Sequence, residues 1–279
     1  MKIVSLFILF IVLAGCTSGP RIDNSLSSRS QSDRIKFIII HYTFGDLSRS
    51  ISRLTQDEVS SHYLLTDTEK PFFYKLVDES QQANHAGLSS WKIYNQLNAA
   101  SIGIEIVNLG YVDTPEGRAW YPFPQSQMDQ LILLLKDIVV RHNIKPENIL
   151  GHNEIAPQRK QDPGPMFPWK QLADAELIQW PDQNRVAKLL SQYQTQIPDV
   201  FWFQKKFAQH GYAVPQTGAL DQETINVMVA FQSKYRQSLF NGIPDAETAA
   251  ILDVLTTSSL VSFPTEILPA VTIPLNVPQ

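Results

Sequence analysis

The chain has 279 residues, 43% of them hydrophobic and 18% charged, with a net charge of −4. That length suits two domains, each with its own core, and the acidic balance offers no basic surface for nucleic acid. Cys16 is the single cysteine, which excludes an intrachain disulfide and a thiolate zinc cluster.

Residues 1–16 open with Lys2 and continue as a short apolar run ending in small residues. This is the pattern of a secretory signal, too short for a comfortable transmembrane helix. Leu13-Ala14-Gly15-Cys16 resembles the bacterial lipobox. The resemblance implies cleavage before Cys16 and lipid on its thiol and new amino group, and several acyl chains anchor a protein stably where one does not. A plain signal peptide with an incidental cysteine is the alternative. Thr17 in place of an aspartate directs the expectation to the outer membrane, facing the periplasm. Residues 17–33, rich in Ser, Arg and Asp, read as a flexible tether.

Ile35–Ile40 is a continuous β-branched run, as expected of a strand buried on both faces, and it leads into His41. A histidine at such a strand end is a candidate ligand or a hydrogen-bonded structural residue. His62, at the start of another strand, has no ligand-like neighbours in sequence and reads as structural. Phe72–Val77 is a further strand. His85 precedes Ala86-Gly87 and is followed by Trp91, a grouping that suits a substrate-binding groove wall or simple packing. Ile102, Ile104 and Ile106 alternate with Gly103, Glu105 and Val107, which places a carboxylate in the middle of an apolar strand. Left unpaired it would be costly, so it needs a cation, a hydrogen-bond donor or a catalytic task.

Gln125–His142 is the clearest helix, with Met128, Leu131, Ile132, Leu135, Ile138 and Val139 along one stripe. A short strand then enters Leu150–Trp169, where Pro157, Pro163, Pro165 and Pro168 stiffen a loop carrying His152, Lys160 and Asp162. His152 could cap a turn and Asp162 close one before Pro163. Asp182–Gln196 reads as a short helix and linker. Beyond Pro198 a helix over Phe201–Phe207 ends at Gly211, and a pattern repeats: Thr217-Gly218-Ala219-Leu220-Asp221-Gln222-Glu223-Thr224, then Asn241-Gly242-Ile243-Pro244-Asp245-Ala246-Glu247-Thr248. Each copy has a glycine turn and an aspartate suited to cap a helix N-terminus.

Two histidines and one aspartate, with a nearby glutamate and lysine, make up what a hydrolytic zinc site requires. A catalytic zinc takes three protein ligands and keeps one position open. On this pattern His41, His152 and Asp162 hold one zinc per chain, Glu105 is the general base, and Lys160 stabilises the oxyanion. A His-Glu-x-x-His helix is absent, which excludes a zincin-type protease.

The residues around His41, the Ile-Gly-Ile-Glu-Ile strand and Gly-His-Asn-Glu-Ile-Ala-Pro-Gln-Arg-Lys-Gln-Asp-Pro-Gly-Pro resemble the type 2 zinc-dependent N-acetylmuramoyl-L-alanine amidases. Residues 198–255 resemble their small helical peptidoglycan-binding domain. The resemblance implies a mixed central sheet flanked by helices, plus a small all-helical C-terminal domain. It implies cleavage of the amide between N-acetylmuramic acid and L-alanine, with peptidoglycan and muropeptides as partners and the membrane reached through lipid on Cys16. No protein partner is evident. Relatives often carry an aromatic where Asn84 stands here. A non-catalytic wall-binding lipoprotein and a zinc peptidase cutting within stem peptides are the competing functions. The expected division is signal 1–16, tether 17–33, amidase 34–180, linker helix 181–197, helical domain 198–255 and tail 256–279. All candidate catalytic residues precede Pro198, so a chain ending there is expected to fold and act on soluble fragments.

Overall fold

The computed structural model describes residues 19–258; Cys16 with its signal segment, and residues 259–279 of the expected tail, lie outside them. Residues 19–32 form a unit of their own without helix or strand, with local hydrogen bonds such as Ser25 N to Asp23 Oδ1. Among the described residues, no helix is long and apolar enough to cross a membrane.

Residues 33–258 belong to one compact unit. It begins with β1 (Phe37–Tyr42), α1 (Leu47–Gln56), β2 (Tyr63–Leu65) and β3 (Phe73–Lys75). Two short hairpins, β4 (Ser90–Trp91) with β5 (Tyr94–Asn95) and, after β6 (Ser101–Ile106), β7 (Tyr111–Thr114) with β8 (Gly117–Trp120), stand outside the main sheet. Then follow α2 (Gln125–His142), β9 (Ile149–Gly151), the single-turn α3 (His152–Ile155) and α4 (Trp169–Asp174). The described residues close with α5 (Gln183–Thr195), α6 (Val200–His210), α7 (Gln222–Tyr235) and α8 (Ala246–Ser258).

The main sheet has the order β3-β2-β6-β1-β9, with β1 parallel to β6 and β9, β2 parallel to β6, and β3 antiparallel at the edge. It is the mixed sheet expected from the sequence. Side chains alternate across a strand, and each face of β1 has its own cover. Ile38 and Ile40 pack with Ile102, Ile104 and Ile106 against the Met128, Leu131, Leu135 and Ile138 stripe of α2. α2 ends as its sequence suggests, with Asn143 in the left-handed region (φ 49°) donating to the Val139 carbonyl.

The opposite face carries Phe37 and Ile39, and these join one apolar cluster with Val186 of α5, Phe203 and Phe207 of α6, Phe231 of α7 and Leu252 of α8. The helical C-terminal region is therefore the second layer over the sheet. Residues 181–197 contain α5, which lies along α8 with Tyr193 OH donating to Asp253 Oδ2. α8 runs on to Ser258, past the expected tail boundary, and Thr256 is buried with its hydroxyl donating to the Leu252 carbonyl. Trp91 belongs to this interior as well, not to a groove wall. Its ring meets Tyr212 edge-on at 4.9 Å, and it is 1% exposed.

The repeated motif has a shared internal structure. Gln204 is fully buried; its amide nitrogen donates to Ala219 O and Thr224 Oγ1, and its oxygen accepts from Gly218 N. Gln232 does the same in the second copy, donating to Ile243 O and Thr248 Oγ1 and accepting from Gly242 N. Asp221 and Asp245 cap the following helices through Thr224 N and Thr248 N.

Candidate active site

Register places the first two groups. His41 lies directly opposite Glu105 across the parallel pair β1–β6, so both side chains emerge on the same face. β9, on the other side of β1, ends at Gly151 and hands the chain to α3, whose first residue is His152. The chain then turns through Pro157 and returns, and the Asn153 N–H donates to the Asp162 carbonyl at 2.9 Å. That bond brings Asp162 to the histidines.

The three expected ligands meet. His41 Nδ1 is 2.9 Å from His152 Nδ1 and 3.1 Å from Asp162 Oδ2, and His152 Nδ1 is 3.0 Å from the same oxygen. All three residues are buried. Ligands about 2.0–2.1 Å from one tetrahedral zinc lie about 3.3 Å from one another, close to this spacing.

Proton bookkeeping tests whether the cluster fits a cation. The Ala86 carbonyl, 3.2 Å from His152 Nε2, can only accept and is nearer than the Arg159 guanidinium at 3.5 Å, so Nε2 carries the proton and neutral His152 presents a lone pair at Nδ1. Ser101 donates its hydroxyl proton to Leu97 O at 2.6 Å, so Ser101 Oγ accepts from His85 Nε2 at 3.1 Å. His85 Nδ1 must then accept from His41 Nε2 at 3.0 Å, and His41 too presents a lone pair at Nδ1. Two lone pairs and a carboxylate oxygen converge, an arrangement that repels itself unless a cation lies among them. The residues fit a metal.

Electrostatics agree. Burial, reinforced by His152, lowers His41 to about 4. Burial alone would raise Asp162, but its two histidine neighbours hold it below the usual carboxylate range. Glu105 moves the other way: burial first, then the charge of Asp162, raises it to about 8. Its Oε2 is buried with no hydrogen-bond partner. Such an orphaned polar atom in a native interior calls for an explanation, and a poised base provides one.

Glu105, Lys160, His152 and Asp162 line one cavity of about 380 Å³, which also takes in Tyr42, Arg53 and Arg159. His85 lines it too, but both of its ring nitrogens turn inward, to His41 and Ser101. It is thus the hydrogen-bond partner of a ligand candidate, where the sequence left a groove-wall contact with substrate or simple packing open. Ligating histidines are normally oriented by such a second partner. His85 and Ala86 orient both histidines, a role the sequence did not disclose. Gly103 makes room for it, since a Cβ there would lie 2.4 Å from the His85 ring. His62 is structural, accepting from Gly103 N at 3.0 Å.

Fold and site together define a hydrolase of mixed α/β architecture with a His-His-Asp cluster at the ends of its central strands. The family described as N-acetylmuramoyl-L-alanine amidase matches residues 31–165, and the one described as "Putative peptidoglycan binding domain" matches residues 196–252. Over 259 residues the sequence is 40% identical to the N-acetylmuramoyl-L-alanine amidase AmiD of Escherichia coli, covering 88% of this chain and 94% of AmiD. The solved complex of AmiD with the substrate anhydro-N-acetylmuramic acid-L-Ala-D-gamma-Glu-L-Lys matches with a TM-score of 0.79 over 86% of this chain and 95% of that one. AmpDh3 from Pseudomonas aeruginosa matches at 0.81 with 33% identity, over 87% of this chain and 100% of its own. The chain belongs to the N-acetylmuramoyl-L-alanine amidases.

Proposed function

We propose that this chain is a zinc-dependent amidase that hydrolyses the bond between the lactyl group of N-acetylmuramic acid and the L-alanine of the stem peptide. The observation that carries this reading is the convergence of three lone pairs beside the unpartnered carboxylate of Glu105. His41 and His152 through Nδ1, and Asp162 through Oδ2, would hold the metal. Bound there, zinc lowers the pKa of water toward neutrality and polarises the substrate carbonyl.

The chain's own groups do the rest. Glu105 takes a proton at its carboxylate from the attacking water and delivers it to the leaving nitrogen of L-alanine. Lys160, on the cavity wall, offers its ammonium to the carbonyl oxygen as negative charge grows there. Arg53 and Arg159 place positive charge along the same cavity, which suits the carboxylates of a stem peptide. The AmiD complex with a muropeptide supports this substrate class. The test is mass spectrometry of muropeptides after digestion: release of whole stem peptides is expected, and truncated stems or no products would overturn the reading.

The lipobox at Leu13–Cys16 and the following Thr17 support an outer-membrane lipoprotein facing the periplasm. Replacing Cys16 by Ser is expected to release the protein from the membrane fraction. A variant still in the outer membrane would place the anchor elsewhere.

A further inference from the structure

Lys234, near the end of α7, is 3% exposed, and Glu154, two residues after His152, is 1% exposed. They form an ion pair at 2.8 Å in the interior. Glu154 Oε2 also accepts from the backbone N–H of Gly151 at 2.7 Å, the residue that launches His152. Lys234 Nζ donates to the Ile149 carbonyl at 3.2 Å and lies 4.3 Å from the Trp169 ring centre. One ammonium thus holds both sides of the strand-to-helix turn from which His152 projects.

The neighbours of Lys234 hold the rest of the loop. Ser233 Oγ accepts from Asn153 Nδ2 at 3.0 Å, and Asn153 N in turn carries the bond to Asp162. Gln237 Nε2 donates to the carbonyls of Pro165 and Phe167, just beyond Asp162. A buried ion pair is a poor device for stability alone, because desolvation offsets most of its Coulombic gain. Here Glu154 Oε1 is even left without a partner. What the pair does well is fix position.

We propose that Lys234 is a positioning residue for the metal loop: through Glu154 and the Ile149 carbonyl it fixes the turn that presents His152, so the helical C-terminal region sets the affinity for metal. The inference rests on the assignment of His41, His152 and Asp162 as ligands. In this view the region similar to a peptidoglycan-binding domain completes the catalytic centre in addition to any hold it has on the wall.

The test uses the whole protein with Lys234→Met and Glu154→Gln combined. This removes both charges, keeps the volumes, and leaves an oxygen for Gly151. Three quantities are measured: melting of the metal-free protein, zinc affinity by chelator competition, and the visible absorption of the cobalt-substituted protein. Partners that orient a ligand typically contribute about 10–100-fold in metal affinity. A weakening of that size, with altered cobalt bands and an intact metal-free fold, is expected. Unchanged affinity and cobalt spectrum in a folded variant would overturn the proposal and leave the pair as packing. If the double variant fails to fold, Glu154→Gln alone, which keeps an oxygen for Gly151 and removes the charge that holds Lys234, gives the reading: weaker zinc binding is expected, and wild-type affinity overturns the proposal. His152→Ala is the control for the ligand assignment. Zinc retained at full stoichiometry there would overturn that assignment and this inference with it, whereas zinc lost there but unaffected by the α7 changes would overturn this inference alone.

Discussion

The metal cluster and the two helical repeats both bury polar side chains, and they treat them in opposite ways. In the repeats, Gln204 and Gln232 have their amide nitrogens and oxygens paired to the turn and helix they join. In the cluster, His41, His152 and Asp162 turn lone pairs toward one another, and Glu105 keeps an oxygen with no partner. A satisfied buried network specifies a fold, and an unsatisfied one carries a cost that function has to justify. The difference separates the part of this molecule that reacts from the part that holds shape.

The largest effect is expected at the unsatisfied end. Loss of a general base costs about 10²–10⁴ in rate, and loss of an oxyanion donor about 10²–10³ in turnover. Glu105→Ala and Lys160→Ala should each keep fold and zinc while losing most turnover on a purified muropeptide. Because both act in one step, the double variant should lose less than the product of the single effects. Metal analysis alongside the kinetics is decisive: a Glu105→Ala protein without zinc would make Glu105 a ligand, and a fully active Lys160→Ala would make Lys160 a surface charge.

Next in size is removal of the helical region. The sequence alone suggests that a chain ending near Pro198 folds and acts by itself. The structure changes that expectation, since Trp91 packs against His210 of α6 and the following Tyr212, and Ile155 shares one cluster with residues of α6 and α7. Re-exposing a large apolar side chain costs about 1.5–3 kcal/mol each. The truncated chain should therefore be several kcal/mol less stable, measured by denaturant unfolding. A truncated protein of wild-type stability and zinc content would show that the two regions are independent after all.

The same contrast appears in the metal-free chain's response to pH. Glu105 is raised to about 8 from its ordinary 4.5. Between those values the folded chain keeps a proton that the unfolded chain has released. Its contribution to stability is thus full below pH 4.5 and is lost as pH rises through the folded value. Glu105→Gln, neutral throughout, should match the wild type below pH 4.5 and exceed it in stability above about pH 8. Parallel stability curves across that range would mean that Glu105 is not held as a buried acid.

Much of this was legible in the sequence because the signals were local. The β-branched run gave β1, the apolar stripe gave α2, and the proline-stiffened loop marked His152 and Asp162. What stayed hidden was either solvent-facing or long-range. α1 shows only a thin apolar stripe, Leu47, Ile51 and Leu54 set among polar residues behind the Asp46 cap, of which Leu54 alone is an apolar side chain buried from solvent. The β7–β8 hairpin is largely exposed, marked only by the turn at Pro115-Glu116-Gly117. The role of His85 depends on strands distant in sequence, and Glu154 finds Lys234 eighty residues later. A single sequence shows residue types at such positions but not their partners.

The smallest effect is expected within the repeats, and it sharpens the comparison by setting one copy against the other. Asp221 and Asp245 occupy matching cap positions, each accepting from a threonine N–H three residues on. The Asp221 carboxylate also meets the hydroxyls of Thr224 and, at 2.9 Å, Thr217, all neutral groups. Asp245 also lies 2.7 Å from a guanidinium nitrogen of Arg236, which is 6% exposed. Replacing a capping residue by alanine costs about 0.5–2 kcal/mol, and Asp221→Ala should fall in that range. Asp245→Ala should cost more, because it strips the cap and leaves a buried cation without its counter-charge. Neither change touches the cluster, so zinc affinity should hold in both. Urea unfolding of the two variants tests the order, and equal losses would mean that Arg236 is neutralised by something other than Asp245.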